Sequence, residues 1–241
     1  MKWIYVNDYH EMSKLAASFF IEEIKRKQSI TLGLATGGTP IGFYEALVRD
    51  YLENHTSYKQ VTTFNLDEYI GVDPTHESSY AYYMNQHLFS KIHDLHHTHV
   101  PNGMRKDLSW VCSEYERLIK QHGGIDIQLL GLGANGHIAF NEPGTPFDMP
   151  THAVSLTDST RQANARFFDT IEEVPTHAIT MGISTILQAK KIILLVSGES
   201  KREIVQRLLK GSITEDIPAS ALLHHPNVIC IVDKGSIGSI D

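Results

Sequence analysis

The sequence predicts an α/β protein built on a mostly parallel sheet with helices on both faces. Apolar runs of strand length alternate with segments of helical period along the whole chain. Three of those runs end in chemically marked turns, at Thr36-Gly37-Gly38-Thr39, at Asp67-Glu68 and at Gly131-Leu132-Gly133. A chain of 241 residues, 41% hydrophobic and 20% charged, can bury a substantial core. Without a repeat, low-complexity tract or linker, it is expected to form one domain over residues 1–241.

Residues 3–6 are a short apolar strand. Asp8, with Glu11 three residues on, has the form of a capping box, and Leu15, Phe19 and Ile24 follow at helical spacing. Residues 29–35 are the next strand. Pro40 suits the first position of a helix through Phe43, Leu47 and Tyr51. A strand over 61–66 ends in Asp67-Glu68-Tyr69, and a Tyr-rich helix is expected near 77–91. Residues 92–104 read as loop. Asp107 suits the cap of a helix carrying Trp110, Tyr115 and Leu118. Residues 125–130 form a buried strand that breaks into the Gly-rich turn. Residues 143–151, with three prolines, are irregular and suit a lid. A strand near 152–156 then leads to a helix with Arg161 and Arg166. Strands over 177–182 and 191–196 flank a short helix, and another helix ends near Lys210-Gly211. Residues 228–232 are expected to close the sheet.

With Lys+Arg 21 against Asp+Glu 28 the net charge is −7, which opposes nonspecific nucleic-acid binding. An anionic small ligand would need local cations to hold it. Cys112 and Cys230 lie in apolar segments without metal-ligand spacing and read as reduced core residues. No signal-peptide block or membrane-length apolar run is visible, so a cytoplasmic protein without a membrane partner is expected.

The stretch from Leu129 to Pro143 gathers most of the chemistry. Its glycines allow close backbone approach, and Asn135, His137 and Glu142 fall within eight residues after a strand. A plain glycine turn with a surface histidine would look the same. The Thr36-Gly37-Gly38-Thr39-Pro40 turn reads equally as a tight turn or as an anion cradle at a helix start. It matches neither nucleotide-binding spacing. Lys201, placed early in a helix, is disfavoured there unless an anion accompanies it. Arg161 and Arg166 point in different directions on a helix, and either reads as a ligand contact or a solvated charge. Asp67 can serve as a general base if burial raises its carboxyl, whereas paired acids more often cap a helix or face water. His93, His96, His97 and His99 lack metal-ligand framing, so no metal is assigned.

Taken together, Leu34-Ala35-Thr36-Gly37-Gly38-Thr39-Pro40, Phe64-Asn65-Leu66-Asp67-Glu68-Tyr69, the motif from Gly131 to Pro143 and the segment from Thr160 to Phe168 resemble the glucosamine-6-phosphate deaminase family. The resemblance runs in order from about residue 1 to 232. It implies a Rossmann-like modified parallel sheet and an isomerising deaminase of amino-sugar catabolism that needs no cofactor. It assigns Asp67 as the enolisation base and His137 as the ring-opening group, with Asn135 and Glu142 orienting that histidine. Thr36, Gly37, Gly38, Thr39, Arg166 and Lys201 match the holders of the sugar phosphate.

Two departures follow from the same resemblance. Many relatives carry Asp at the position of Asn135, and an amide cannot supply charge, so an altered pH profile is expected. Allosteric members carry basic residues where this chain has His152 and Val154, and they extend beyond the position of Asp241. Little sigmoidal kinetics and no activation by N-acetylglucosamine 6-phosphate are therefore expected. Monomer and homo-oligomer both stay open, with the balance toward a monomer. The rivals are a galactosamine-6-phosphate enzyme, a 6-phosphogluconolactonase, a sugar-phosphate sensor and an inactive scaffold. Ile138-Ala139-Phe140-Asn141-Glu142 after His137 departs from the lactonase pattern.

Overall fold

The computed structural model describes residues 1–165 and 168–237. Among them, seven strands form one parallel sheet: β1 (Lys2–Val6), β2 (Ile30–Leu34), β3 (Val61–Asn65), β5 (His97–His99), β6 (Ile127–Gly131), β9 (Ile192–Val196) and β10 (Val228–Asp233). Their order is β1-β10-β9-β6-β2-β3-β5, each neighbouring pair parallel. A second, antiparallel sheet joins β4 (Asp67–Tyr69), β8 (His177–Thr180) and β7 (His152–Ser155).

Burial explains the parallel sheet. Every residue of β2, β3, β9 and β10 is buried, so these strands are covered on both faces, and β2, β9 and β10 read as largely apolar runs. The covering helices include α1 (Tyr9–Arg26), α2 (Ile41–Asn54), α4 (Leu108–Gln121) and α7 (Arg202–Leu209). Asp8 caps α1 by accepting the Glu11 N–H at 2.8 Å, while the Glu11 carboxylate reaches back to the Asn7 N–H at 2.8 Å. The buried stripe of α1 is Met12, Ala16, Phe20 and Ile24, with Leu15 and Phe19 on its partly buried flank. Asp107 caps α4 through the Trp110 N–H at 2.9 Å. Pro40 stands at the cap of α2, one residue before the position expected. The short helices are α3 (Tyr80–Met84), α5 (Asp158–Asn164), α6 (Ile183–Ile186) and α8 (Lys234–Ile237).

Four features differ from the sequence reading. The Tyr-rich helix is short, since α3 passes into a π-helical turn over Asn85–Phe89. Residues 97–99, read as loop, pair with β3 as an edge strand. Their three positions are polar and mostly exposed, so they carry no apolar signal. Asp67-Glu68-Tyr69 leaves the parallel sheet and pairs antiparallel with β8, and the strands near 152 and 177 join it there. Apolar composition does not encode pairing direction. Finally, β10 lies inside the sheet, and β1 is the edge.

From β2 the chain builds outward through β3 to β5, and from β6 it builds the other way through β9 and β10. The reversal between β2 and β6 opens a crevice at the carboxyl ends of these strands. Both glycine turns begin there. Both cysteines are buried and free, and no helix among the described residues is long and apolar enough to cross a membrane.

Candidate active site

The turn at residues 36–39 leaves β2 with Gly37 at φ 99°, a conformation that favours glycine. Tyrosine hydroxyls fix it from outside. Tyr44 donates to the Ala35 carbonyl at 2.5 Å, Tyr83 to Gly37 at 2.7 Å and Tyr9 to Gly38 at 3.3 Å. The helix that follows has no side-chain cap and no acidic residue in its first turn. Such a start leaves N–H groups and a positive dipole end for an anion.

Asp67 and Glu68 divide the two readings of an acidic pair between them. Glu68 is buried and accepts the N–H groups of Tyr80 at 2.9 Å and Ala81 at 2.8 Å, which ties it to the start of α3. Asp67 lines a cavity instead. Burial, reinforced by the Glu68 charge, pushes the Asp67 carboxyl up to about 8. A carboxyl held there is suited to exchanging a proton near neutrality.

The third turn leaves β6. The Gly133 N–H donates to the His137 carbonyl at 2.9 Å, and a Cβ at Gly133 would overlap the imidazole. Gly136 takes φ 91° and Ala139 φ 52°. Asn141 clamps the turn by donating to the carbonyls of Ile138 and Met181 at 3.0 and 2.9 Å. The Asn135 carbonyl oxygen accepts the His137 N–H at 3.1 Å, and its amide donates to Glu142 Oε2 at 2.7 Å. Glu142 Oε1 accepts the Thr160 hydroxyl from α5 and stands 3.6 Å from His137 Nδ1. That separation is an ion-pair contact, longer than a hydrogen bond. Burial would raise the Glu142 carboxyl, but His137, Thr160 and Asn135 outweigh it and hold it below the usual range.

One cavity of about 530 Å³ is lined by Thr36, Gly37, Gly38, Thr39, Asp67, Asn135, His137 and Lys201. Its volume suits a small phosphorylated sugar. Glu142 stands behind this lining, joined through Asn135. Lys201 ends a single 3₁₀ turn at the start of α7. Arg161 does not reach the cavity lining, because its guanidinium is taken up by the carbonyls of Ile171 and Val174 at 3.0 and 3.1 Å. Arg166 lies outside the described residues. Two residues were missed by the sequence reading. Thr160 sits inside a quoted motif yet carries no chemical signature, and Tyr80, whose hydroxyl lies 3.3 Å from that of Tyr69, reads as helix core. Near the β5 edge the rings of His97, His99 and His122 pack against one another tilted or edge-on, His96 lies against His97, and His99 stacks on Phe64. Among the described residues no group of three or more His, Cys, Asp or Glu is placed to hold a metal ion.

A second cavity of about 400 Å³ lies at the opposite, amino-terminal end of β2 and β3, against Ile30 and Val61. It holds none of the candidate site residues, and its lysines are engaged, Lys25 with Asp50 and Lys27 with Asp126.

Comparison with known proteins supplies the family. The sequence profile described as glucosamine-6-phosphate isomerases/6-phosphogluconolactonase matches residues 8–230. A glucosamine-6-phosphate deaminase of Geobacillus sp. (strain WCH70) is 53% identical over 100% of this chain and 96% of its own length. The corresponding protein of Halalkalibacterium halodurans is 52% identical over 100% of this chain and 98% of its own. A solved monomeric glucosamine-6-phosphate deaminase superposes with a TM-score of 0.94 at 47% identity, covering 98% of each chain. A 6-phosphogluconolactonase from Trypanosoma brucei superposes at 0.78 with 18% identity over 98% of this chain and 97% of its own, a likeness of fold alone. The match along nearly the whole length, in sequence and in fold, places this chain in the family of glucosamine-6-phosphate isomerases and 6-phosphogluconolactonases.

Proposed function

We propose that this chain converts glucosamine 6-phosphate and water to fructose 6-phosphate and ammonia. In this reading it acts in the cytoplasm in amino-sugar breakdown, as a monomer of one domain over residues 1–241. The observation that carries the reading is convergence: Asp67 and His137 line one cavity together with the glycine turn at 36–39 and Lys201. The phosphate rests on that turn, with Lys201 and Arg166 as its cations. His137 moves a proton to the ring oxygen and opens the pyranose, and Glu142 stabilises the charged imidazole.

Asp67 then takes the C2 proton of the open aldehyde and returns it at C1. The C2–N bond becomes an imine, which water hydrolyses to the ketone and ammonia. The substrate's own carbonyl and amine stabilise the intermediate, so the chemistry requires no cofactor. A C2 ammonium beside Asp67 favours the ionised carboxylate, so binding itself prepares the base.

The test measures ammonia and fructose 6-phosphate from glucosamine 6-phosphate, with galactosamine 6-phosphate and 6-phosphogluconolactone in parallel. Equal yields of the two products, and no lactone hydrolysis, are expected. Lactone hydrolysis without ammonia release would overturn the proposal.

A further inference from the structure

Glu142 is held by two hydrogen bonds from different parts of the fold. Asn135 reaches Oε2 from the same glycine turn, eight residues of chain with a common anchor. Thr160 reaches Oε1 from the first turns of α5, an element that also presents Ser159, Ala163 and Asn164 to the cavity. Oε1 is also the oxygen that faces His137 Nδ1, 3.6 Å away, and Nδ1 has no hydrogen-bond partner among the described residues. Thr160 is itself buried, and its backbone N–H is tied to the Thr157 hydroxyl at 3.2 Å, so its side chain springs from a capped helix start.

We infer that Thr160 is a positioning residue of the ring-opening pair: its hydroxyl fixes the plane and distance of the Glu142 carboxylate in front of His137. The inference rests on the proposed role of His137 and Glu142 and adds a residue to it. Two pins on opposite oxygens leave a carboxylate one orientation, whereas Asn135 alone would allow rotation about the pinned oxygen. The pin from α5 also ties the acid–base pair to the wall of the cavity, so both hold one position relative to the sugar. A hydroxyl donating to the charged form lowers a carboxyl, and its removal raises it. Among the described residues, the other charged or titratable groups lining the same cavity are Asp67 from β4, Lys201 from the start of α7 and Tyr80 from α3.

The test compares Thr160→Val, nearly isosteric but without a donor, with Thr160→Ser, which keeps the hydroxyl. In Thr160→Val, kcat is expected to fall about tenfold with KM little changed, the size of one lost charge-assisted hydrogen bond. Carbon-13 titration of the Glu142 carboxyl in the substrate-free enzyme is expected to move up by about half to one unit. The nitrogen-15 signal of His137 Nδ1 should shift in the same variant. Thr160→Ser should restore all three. An unmoved Glu142 titration, a serine variant that behaves like valine, or an effect confined to KM would overturn the assignment. The Glu142 titration needs no turnover, so failure of the proposed reaction would be seen separately.

Discussion

A carboxyl buried next to another carboxylate, as Asp67 is, links catalysis to stability. An unfolded aspartate ionises near 3.8, whereas burial and Glu68 hold Asp67 protonated up to about 8. Between those values the native state keeps a proton that the unfolded chain has released. Stability therefore falls as pH rises across that window, and the loss is complete above it. Asp67→Asn carries no such charge. Urea denaturation at pH 5 and pH 8.5 should show the wild type losing more stability than the variant, and parallel losses would contradict this account of Asp67. Asn135 supports a second expectation. Its amide donates to Glu142 at 2.7 Å, so Asn135→Asp removes a donor and sets two carboxylates side by side. Such a pair shares a proton, which raises the pair's titration. The acidic limb of the pH profile for kcat/KM should move up by about one unit, and an unchanged curve would remove Asn135 from the tuning of the site.

At the scale of elements, the site depends on how residues 143–151 are tied down. Glu116 on α4 accepts the Thr151 N–H at 2.9 Å, the Thr151 hydroxyl at 2.5 Å and the Thr185 hydroxyl at 2.6 Å. The Met149 carbonyl accepts the N–H and hydroxyl of Ser184 at 3.1 and 2.9 Å, and Gly144 donates to the Glu215 carbonyl at 2.8 Å. A Cβ at Gly182 would run into the Met149 and Pro150 carbonyls, so the strap lies directly on the start of α6. This strap connects Glu142 to β7 and on to α5, the two sources of the acid–base geometry. Glu116→Ala strands three donors and should cost about 2–3 kcal/mol of stability, measured by thermal or urea unfolding. Little of this was legible beforehand. Three prolines marked 143–151 as irregular, but nothing local to Glu116 announces partners 35 and 69 residues away.

Across the whole molecule, what the sequence disclosed follows from which forces are local. The parallel strands β2, β9 and β10 were legible because they are buried at every position and so show as largely apolar runs. The glycine turns were legible because Gly37 and Gly136 take positive φ and Gly133 admits the imidazole, all consequences of one missing Cβ. Pairing direction in the second sheet, the polar edge strand β5 and the contact of Thr160 with Glu142 depend on distant chain and left no local mark. Global topology then brings Asp67 from beyond β3, His137 from beyond β6 and Lys201 from beyond β9 to one crevice. His152 and Val154 occupy β7, where allosteric relatives are expected to carry basic residues. Hyperbolic kinetics, unchanged by N-acetylglucosamine 6-phosphate, are accordingly expected in a substrate-saturation assay. A marked fall in KM on adding that compound would contradict this. The most direct measurement of the central claim is the rate of ammonia release from glucosamine 6-phosphate by the wild type, Asp67→Asn and His137→Gln, each shown folded by circular dichroism. Loss of about 10²–10⁴ in kcat is expected in each variant, the size of an acid–base contribution. Wild-type rates in either one would mean that the carboxyl and the imidazole facing this cavity do not act on a common substrate.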